Sequence, residues 1–244
     1  MSKVEVKNLT KSFGDLLVLD DISFDVDEGE FLCIVGPTGC GKTTFLNSLT
    51  KIYDINAGSI KINGEEVELR RPSLAYIMQE YSTMPWLTVR QNVQFGLKIK
   101  KMSKAQLEER TDRMLELVGL KEFSDYYPNQ LSASMLQRVA IARAFAVEPD
   151  LLLMDEPYGQ LDLELRFKLE DELLNLWRQL GTTVIFITHN IEEAVYLSQR
   201  ILVLTNKPTK IKENIINDLP YPRDIVSDDF VRLRDRVTDL IKWW

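Results

Sequence analysis

The feature that most constrains this sequence is a glycine-rich loop near its beginning. Residues 36–43 read G-P-T-G-C-G-K-T, and they follow the short apolar run 31–35. Apolar residues at helical spacing come after the loop, at positions 45, 46, 49 and 52. A strand, a loop of this pattern and a helix in that order are typical of a phosphate-binding loop, because glycines let successive backbone N–H groups face the phosphates and the helix N-terminus adds partial positive charge. The alternative is a glycine-rich turn that carries a surface lysine.

The residues of this loop have predicted parts in holding a nucleoside triphosphate. Lys42 brings a full positive charge to the β- and γ-phosphates, and the Thr43 hydroxyl is a candidate ligand for Mg²⁺. The predicted nucleotide-binding residues of the loop are Gly36, Pro37, Thr38, Gly39, Cys40, Gly41, Lys42, Thr43 and Thr44.

Length and composition narrow the class of protein. The 244 residues suffice for one large α/β domain or two small ones, and 45% hydrophobic and 27% charged residues are ordinary for a soluble globular protein. A net charge of −7 without a basic stripe argues against a nucleic-acid partner. Cys33 and Cys40 fit no disulfide or zinc pattern, and we expect reduced thiols of a cytosolic protein. No signal peptide is recognised, and no apolar run approaches the ~18–20 residues that span a bilayer, so any membrane role is expected to come through a partner.

Apolar runs predict the strands of an α/β chain. Residues 4–9 alternate between apolar and polar, which predicts an antiparallel strand of the edge type. The runs 151–154 and 184–187 are continuously apolar, as strands covered on both faces are, and a long helix over 163–180 is expected between them. The run 201–204 is the last clear strand.

The middle of the chain changes to helical periodicity. Ser103 followed by Gln106 is a candidate capping box, and Gly119 can end the helix that starts there. A second helix is expected from Leu131-Ser132 to the residue before Pro149. The predicted organisation is a single domain over 1–244, with a helical subdomain over about 89–146 and a C-terminal tail over about 206–244.

Two adjacent carboxylates follow the apolar run 151–154. They lie at the carboxyl end of a predicted parallel strand, which is where α/β sheets bind ligands. We assign Asp155 to Mg²⁺, and Glu156 to orienting the attacking water or accepting its proton. The alternative is a charged loop after a strand.

Three further residues allow a functional and a structural interpretation. His189 is the only histidine; a lone histidine is usually structural, but its place after a strand favours a hydrogen bond to the γ-phosphate. For Gln79 the two interpretations are equally supported: it either binds Mg²⁺ or positions water, or it has no functional role. Phe13 can stack on a flat base or be a core aromatic.

These residues occur in an order that resembles the ATP-binding cassette (ABC) ATPases of transporters. The resemblance runs from about residue 4 to residue 205. The segments 85–93 and 219–224 are in addition similar to the nitrate, sulfonate and taurine importer ATPases. The matching elements are Phe13-Gly14, the loop 36–44, Gln79, L-S-A-S-M-L-Q-R at 131–138, L-L-L-M-D-E-P at 151–157, G-Q-L-D at 159–162 and T-H at 188–189.

The resemblance implies a P-loop NTPase fold with a RecA-like core, an N-terminal antiparallel β subdomain and a helical subdomain. It implies an ATPase that works as a head-to-tail dimer with ATP and Mg²⁺ at the interface, each ATP held by the loop of one subunit and by Ser132, Ala133 and Ser134 of the other. The implied roles are Glu156 as catalytic base, Lys42 and His189 at the γ-phosphate, Thr43, Asp155 and Gln79 for Mg²⁺, and Phe13 for adenine. The implied partners are integral-membrane permease subunits, a second ATPase subunit and an extracytoplasmic substrate-binding protein, with the chain peripheral on the cytoplasmic face of the membrane.

The sequence departs from that family where it faces the opposite subunit. The usual L-S-G-G-x-Q reads L-S-A-S-M-L at 131–136, which retains Ser132 and replaces both glycines by Ala133 and Ser134. Glycine permits close approach and positive φ, so these replacements either hinder docking or fit more tightly. Gly159-Gln160 stands where serine-alanine is common. We call the segment 131–136 the signature motif. We therefore expect slow hydrolysis as a homodimer, or pairing with a second ATPase chain that carries the usual L-S-G-G-x-Q signature.

Other functions fit the sequence less well than an importer ATPase does. A low-turnover regulatory partner in a heterodimeric complex would suit the altered signature, but it would not require Glu156 and His189. An exporter, or a cassette ATPase of translation or DNA maintenance, usually adds a fused membrane domain, a second cassette or a coiled-coil insertion.

Overall fold

The computed structural model describes residues 2–67, 74–80, 82–159, 161 and 163–241. In chain order its elements are β1 (Ser2–Phe13), β2 (Leu16–Asp27), β3 (Phe31–Val35), α1 (Lys42–Leu49), β4 (Ala57–Ile62), β5 (Glu65–Glu66), β6 (Leu74–Ile77), α2 (Val89–Ile99), α3 (Lys104–Leu117), 3₁₀ turns at Lys121–Phe123 and Pro128–Gln130, α4 (Ala133–Ala146), β7 (Leu151–Asp155), α5 (Leu163–Leu180), β8 (Thr183–Ile187), α6 (Ile191–Leu197), β9 (Arg200–Leu204), β10 (Ile211–Ile216) and α7 (Asp228–Ile241).

The chain divides into two compact units. The first combines Met1–Arg71 with Thr183–Trp244, and the second is Pro72–Thr182. The assignment of residues 1–244 to a single domain stays a prediction.

An antiparallel sheet in the order β2-β1-β4-β5 opens the first unit. β1 lies inside this sheet, because Val6 pairs with Phe24 of β2 on one side and with Ile60 of β4 on the other. The prediction of an edge strand over 4–9 is therefore wrong. Alternation reports that one face of a strand is buried, and it does not tell whether both edges are paired.

A second group of strands in the first unit has the order β10-β9-β3-β8. All five residues of β3 are buried, and Cys33 lies in register with Phe186 of β8 and Ile201 of β9, both parallel to it. β10 pairs antiparallel with β9, so 201–204 is not the last strand. The sequence of β10 is half polar and only Ile215 is buried, which explains why its pattern was too weak to predict.

Helix α1 packs its apolar face into the core of the first unit. Phe45, Leu46 and Leu49 form its buried face, as their spacing predicted. The Phe45 ring lies 5.4 Å from that of Phe24 on β2. This contact fixes the helix, and therefore the loop that precedes it, against the antiparallel sheet.

The second unit pairs β6 with β7 in parallel and contains helices α2 to α5. Ser103 and Gln106 form the predicted capping box at the start of α3, and Thr88 and Gln91 form another at the start of α2. α2 packs against both α3 and α4. The two predicted helices are confirmed as α3 and α4, and α4 ends at Ala146, two residues before its predicted end. No helix within the described ranges has both the length and the apolar composition needed to cross a bilayer.

Candidate functional site

The phosphate loop connects the carboxyl end of β3 to the first turn of α1. Gly39 and Gly41 have φ of 76° and 117°, and the amide of Cys40 donates to the carbonyl of Pro37 at 3.2 Å. A Cβ atom added to Gly41 would lie 2.9 Å from Cγ1 of Val18. Both backbone conformation and packing therefore require glycine at this position.

Lys42 is folded back over the loop. Its side chain is buried, and Nζ donates to the carbonyl oxygens of Gly36 at 3.0 Å and Pro37 at 3.2 Å. Thr43 is exposed beside it in the same helical turn. A buried ammonium group needs polar partners, and here it lies where the loop amides and the helix N-terminus favour an anion. The geometry suits a site for phosphate groups.

Thr209, which lies in no sequence motif, stabilises the loop. The Thr209 hydroxyl donates to the carbonyl of Cys40, and the Thr209 amide donates to Val18 at 2.8 Å. Thr209 is fully buried. Burial raises the pKa of the Cys40 thiol, with the nearby Lys42 charge opposing that rise, so the thiol stays neutral at neutral pH.

Phe13 lies at the end of β1 with 44% of its surface exposed, which excludes the core-aromatic interpretation. Its ring meets that of Tyr53 edge to face at 5.3 Å, and Nζ of Lys11 lies 4.8 Å from its centroid. The face of an aromatic ring can stack on a planar base. Tyr53 and Lys11 were not predicted, because Tyr53 lies in a loop without any motif and Lys11 lies in the interior of a strand.

His189 is exposed in the short turn between β8 and α6. The residues on both sides of it are fixed. The Asn190 amide donates to the Thr188 hydroxyl at 2.9 Å, and the Asn190 side chain accepts from the amide of Glu192 at 2.9 Å, which caps α6. The backbone that carries His189 is therefore held from both directions.

In the second unit, Asp155 is the last residue of β7, and Glu156 is the next residue of the chain. Asp155 is 3% exposed, and the Tyr76 hydroxyl lies 3.5 Å from its Oδ2. Glu156 has a left-handed φ of 44°, a conformation that costs energy for any residue except glycine and that is enriched at functional sites. Its carbonyl accepts from the Gly159 amide at 3.3 Å. Gln160, predicted at the subunit interface, lies outside the described residues.

Gln79 is exposed two residues beyond the end of β6. Since β6 and β7 are parallel and Ile77 is in register with Met154, Gln79 and Asp155 come from the same edge of this strand pair. The structure thus places these two predicted Mg²⁺ ligands on neighbouring strand ends.

Arg143, which is partly buried, and Asn92, which is buried, hold the loop after Gln79. Arg143 donates to the carbonyl and to the hydroxyl of Ser82, both at 2.6 Å, and burial lowers the pKa of its guanidinium. Asn92 is fully buried, accepts from the Met84 amide at 2.8 Å and donates to the carbonyl of Leu87 at 3.0 Å. Neither was predicted, because each acts on a loop through tertiary contacts.

Ser132 is the N-cap of α4. Its Oγ accepts from the Met135 amide at 3.4 Å and lies 2.9 Å from Oγ of Ser134. Ala133 and Ser134 are the first residues of the helix, and neither has a positive φ. The backbone freedom of glycine is therefore not needed at these two positions, and the contact between the two hydroxyls is what the replacement adds.

The fold and these motifs define the class of protein as a P-loop nucleoside triphosphatase. The family described as ABC transporter matches residues 19–159, which is more than half of the chain. The chain belongs to this family of ATP-binding proteins, and it is an ATPase. The fold class predicted from the sequence is confirmed.

Relatives and solved structures agree with this assignment. An uncharacterized ABC transporter ATP-binding protein of Methanocaldococcus jannaschii is 43% identical over 98% of this chain and 91% of its own length. The aliphatic sulfonates import ATP-binding protein SsuB of Bacillus cereus is 41% identical over 95% of this chain and 91% of its own. A dimeric ATP-binding cassette, solved in a post-hydrolysis state with ADP and Pi, superimposes with a TM-score of 0.78 at 31% identity, over 87% of this chain and 98% of that one. The protein cbiO1 of Clostridium perfringens, part of the ABC transporter complex cbiONQ, shares the fold, with a TM-score of 0.80 at 23% identity over 98% of this chain and 97% of that one.

Proposed function

We propose that this chain is the ATPase subunit of a membrane importer for a small solute of the nitrate, sulfonate and taurine class. The observation that carries the proposal is a phosphate loop with Lys42 folded over it, in a chain 41% identical to an ATPase named for aliphatic sulfonate import. The solute itself is selected by the permease and by an extracytoplasmic binding protein.

ATP binding uses the residues of the first unit. The amides of the loop 36–44 and the Lys42 ammonium hold the β- and γ-phosphates, aided by the N-terminus of α1. Phe13 stacks on the adenine. Tyr53 and Lys11 support this ring, because both contact it.

The donor set for a divalent cation fits Mg²⁺. Thr43, Gln79 and Asp155 offer hydroxyl, amide and carboxylate oxygens, which this hard cation prefers, and it commonly takes one or two carboxylates together with phosphate oxygens. The described part of the chain has no cluster of three His, Cys, Asp or Glu side chains that could hold a metal ion. A bound Mg²⁺ would supply positive charge that offsets the negative charge of the phosphates.

Hydrolysis uses Glu156 and His189. Glu156 orients a water molecule and accepts its proton as the water oxygen bonds to the γ-phosphorus; the bond from phosphorus to the bridging oxygen breaks, and ADP and phosphate leave. His189 donates a hydrogen bond to a γ-phosphate oxygen, which stabilises the negative charge in the transition state.

The working site is shared between two chains in a head-to-tail dimer. Ser132 of the second chain donates its hydroxyl to the γ-phosphate, with Ala133 and Ser134 beside it. This proposal is supported by the dimeric state of the cassette with ADP and Pi to which the chain is similar.

An exposed apolar surface in the second unit supports a permease partner at the cytoplasmic face of the membrane. We call it the aromatic surface; it consists of Met78, Trp86, Phe95, Ile99 and Tyr126, which are 41–72% exposed. The start of α2 and the segment that carries Tyr126 are connected, because the Val89 amide donates to the carbonyl of Tyr126 at 2.9 Å. Exposed apolar clusters of this kind mark protein interaction sites.

The catalytic part of the proposal is tested with Glu156→Gln. Loss of the general base should lower kcat by roughly 100-fold or more, while binding of ATP is retained. Glu164→Gln is the matched control, since Glu164 is exposed on α5 of the same unit with only a long contact to Lys168. Steady-state phosphate release and equilibrium nucleotide binding are the measurements. An unchanged kcat in Glu156→Gln would show that Glu156 is not the base.

A further inference from the structure

The last carbonyl groups of α6 are held by three side chains of the C-terminal tail, Asn217, Tyr221 and Arg223, which we call the tail clamp. Helix ends leave such carbonyls without intrahelical partners. Arg223 is buried, and its Nη1 donates to the carbonyls of Val195 at 2.6 Å and Ser198 at 2.7 Å. A guanidinium at a helix C-terminus also interacts favourably with the helix dipole.

The other members complete this arrangement. The Tyr221 hydroxyl donates to Leu197 at 2.6 Å, and the Asn217 side chain donates to the carbonyls of both Val195 and Ser198 at 2.9 Å. The Arg223 guanidinium lies 4.1 Å from the centroid of the Tyr221 ring, so two clamp residues also fix each other.

Helix α6 is short, and its other end carries His189. Seven residues at 1.5 Å each make the helix about 10 Å long. Its N-terminus is fixed by the Asn190 cap and by a bond from the Thr188 hydroxyl to the buried carboxylate of Glu193. A two-turn helix held at both ends moves as a rigid piece, so the clamp sets the position of the turn that contains His189.

We propose that Arg223 is a positioning residue for ATP hydrolysis, acting through α6 on His189. The inference rests on the proposed role of His189 at the γ-phosphate. Small displacements of a group that contacts the reacting phosphate reduce the rate strongly, whereas nucleotide affinity depends mainly on the loop and on Phe13. The tail segment 219–224, which resembles one branch of importer ATPases, thereby acquires a part in the reaction.

A double-mutant cycle on the full chain tests the inference. Arg223→Gln should lower kcat for ATP hydrolysis about tenfold and change KM by less than about twofold. In a His189→Ala background the same substitution should cause no further fall, because the residue it positions is gone. Arg223→Lys should recover part of the rate, since it keeps the charge but loses the planar fork.

The controls separate positioning from stability. Arg200→Gln is the matched control, because Arg200 is in the same unit but bonds to Glu30 at 2.5 Å rather than to α6; it should leave kcat unchanged after correction for the folded fraction by thermal unfolding. Should Arg223→Gln fail to fold, Tyr221→Phe removes one clamp bond and should lower kcat in the same His189-dependent way. Equal falls of kcat in both backgrounds would overturn the inference alone. An unchanged kcat in His189→Ala would overturn the proposed role of His189, and the inference with it.

Discussion

The hydroxyl groups of Ser132 and Ser134 lie 2.9 Å apart, and this contact gives the altered signature a specific consequence. A serine hydroxyl has a single hydrogen to donate. If Ser132 donates it to Ser134, it is not available to the γ-phosphate of the opposing site. The expectation of slow hydrolysis therefore depends on competition between hydrogen bonds rather than on the backbone conformation of glycine.

Ser134→Ala should raise the ATPase rate of the assembled complex. A neutral hydrogen bond contributes about 1 kcal/mol, so its removal should raise kcat by up to about fivefold. Alanine favours helix, so α4 should begin as before. The double variant Ala133→Gly with Ser134→Gly should also be faster, and Ala133→Gly alone should match the unmodified chain. The rate is measured as phosphate release at saturating ATP. If neither Ser134 variant is faster, impairment by the signature is wrong.

Residue types in a motif could be predicted, whereas their supporting contacts could not. The sequence was sufficient to single out Lys42, Asp155 and His189, because the loop and the strand ends have local patterns. Tyr76 beside Asp155 and Thr209 against Cys40 join residues that are 79 and 169 positions apart. No local pattern reports such contacts, since they depend on the register of strands that are distant in sequence.

At the scale of elements, the sequence predicted those with strong periodicity or clear ends. The long helix α5 has the predicted limits, and α3 begins after the predicted capping box. β10 was missed, because an edge strand with one buried residue resembles a polar loop. The edge assignment of β1 failed because its second partner, β4, follows the phosphate loop and α1 in sequence.

Gly96 lies at a close packing contact of helix α2. It lies inside α2, and a Cβ added there would be 2.4 Å from Cγ1 of Val147, just beyond the end of α4. Gly96→Ala gains roughly 1 kcal/mol of helix propensity but overpacks the contact at a cost of roughly 1–3 kcal/mol. We expect a net decrease in the free energy of unfolding of up to about 2 kcal/mol.

Chemical denaturation of the full chain measures the effect of Gly96→Ala. The same substitution in a Val147→Ala background is the control, because it opens the space that the new methyl group needs. There Gly96→Ala should be neutral or stabilising. An equal loss of stability in both backgrounds would mean that the contact with Val147 is not the reason for glycine in α2.

At the scale of the whole molecule, the predicted residues are distributed between two units. The phosphate loop, Phe13 and His189 belong to the first, and Gln79, the two carboxylates and the signature belong to the second. The aromatic surface also belongs to the second unit, and the loop that carries Trp86 is held by Arg143 and Asn92. Because the backbone of this loop is already fixed, binding of a partner does not require the loop to be ordered, which reduces the cost in conformational entropy.

Trp86→Ala should therefore weaken association with the permease and leave the chemistry intact. Trp86 is 72% exposed, so its removal should lower the free energy of unfolding by less than about 0.5 kcal/mol, whereas a buried interface tryptophan typically contributes about 2 kcal/mol or more to binding. The affinity of the chain for the permease should then fall by roughly 30-fold, and less permease should co-purify with the tagged chain from detergent-solubilised membranes. The ATPase activity of the isolated chain should be unchanged. Ile216→Ala is the matched control, because Ile216 is 76% exposed on β10 of the other unit. Undiminished recovery of permease with Trp86→Ala, or equal loss with Ile216→Ala, would contradict the aromatic surface as the docking site.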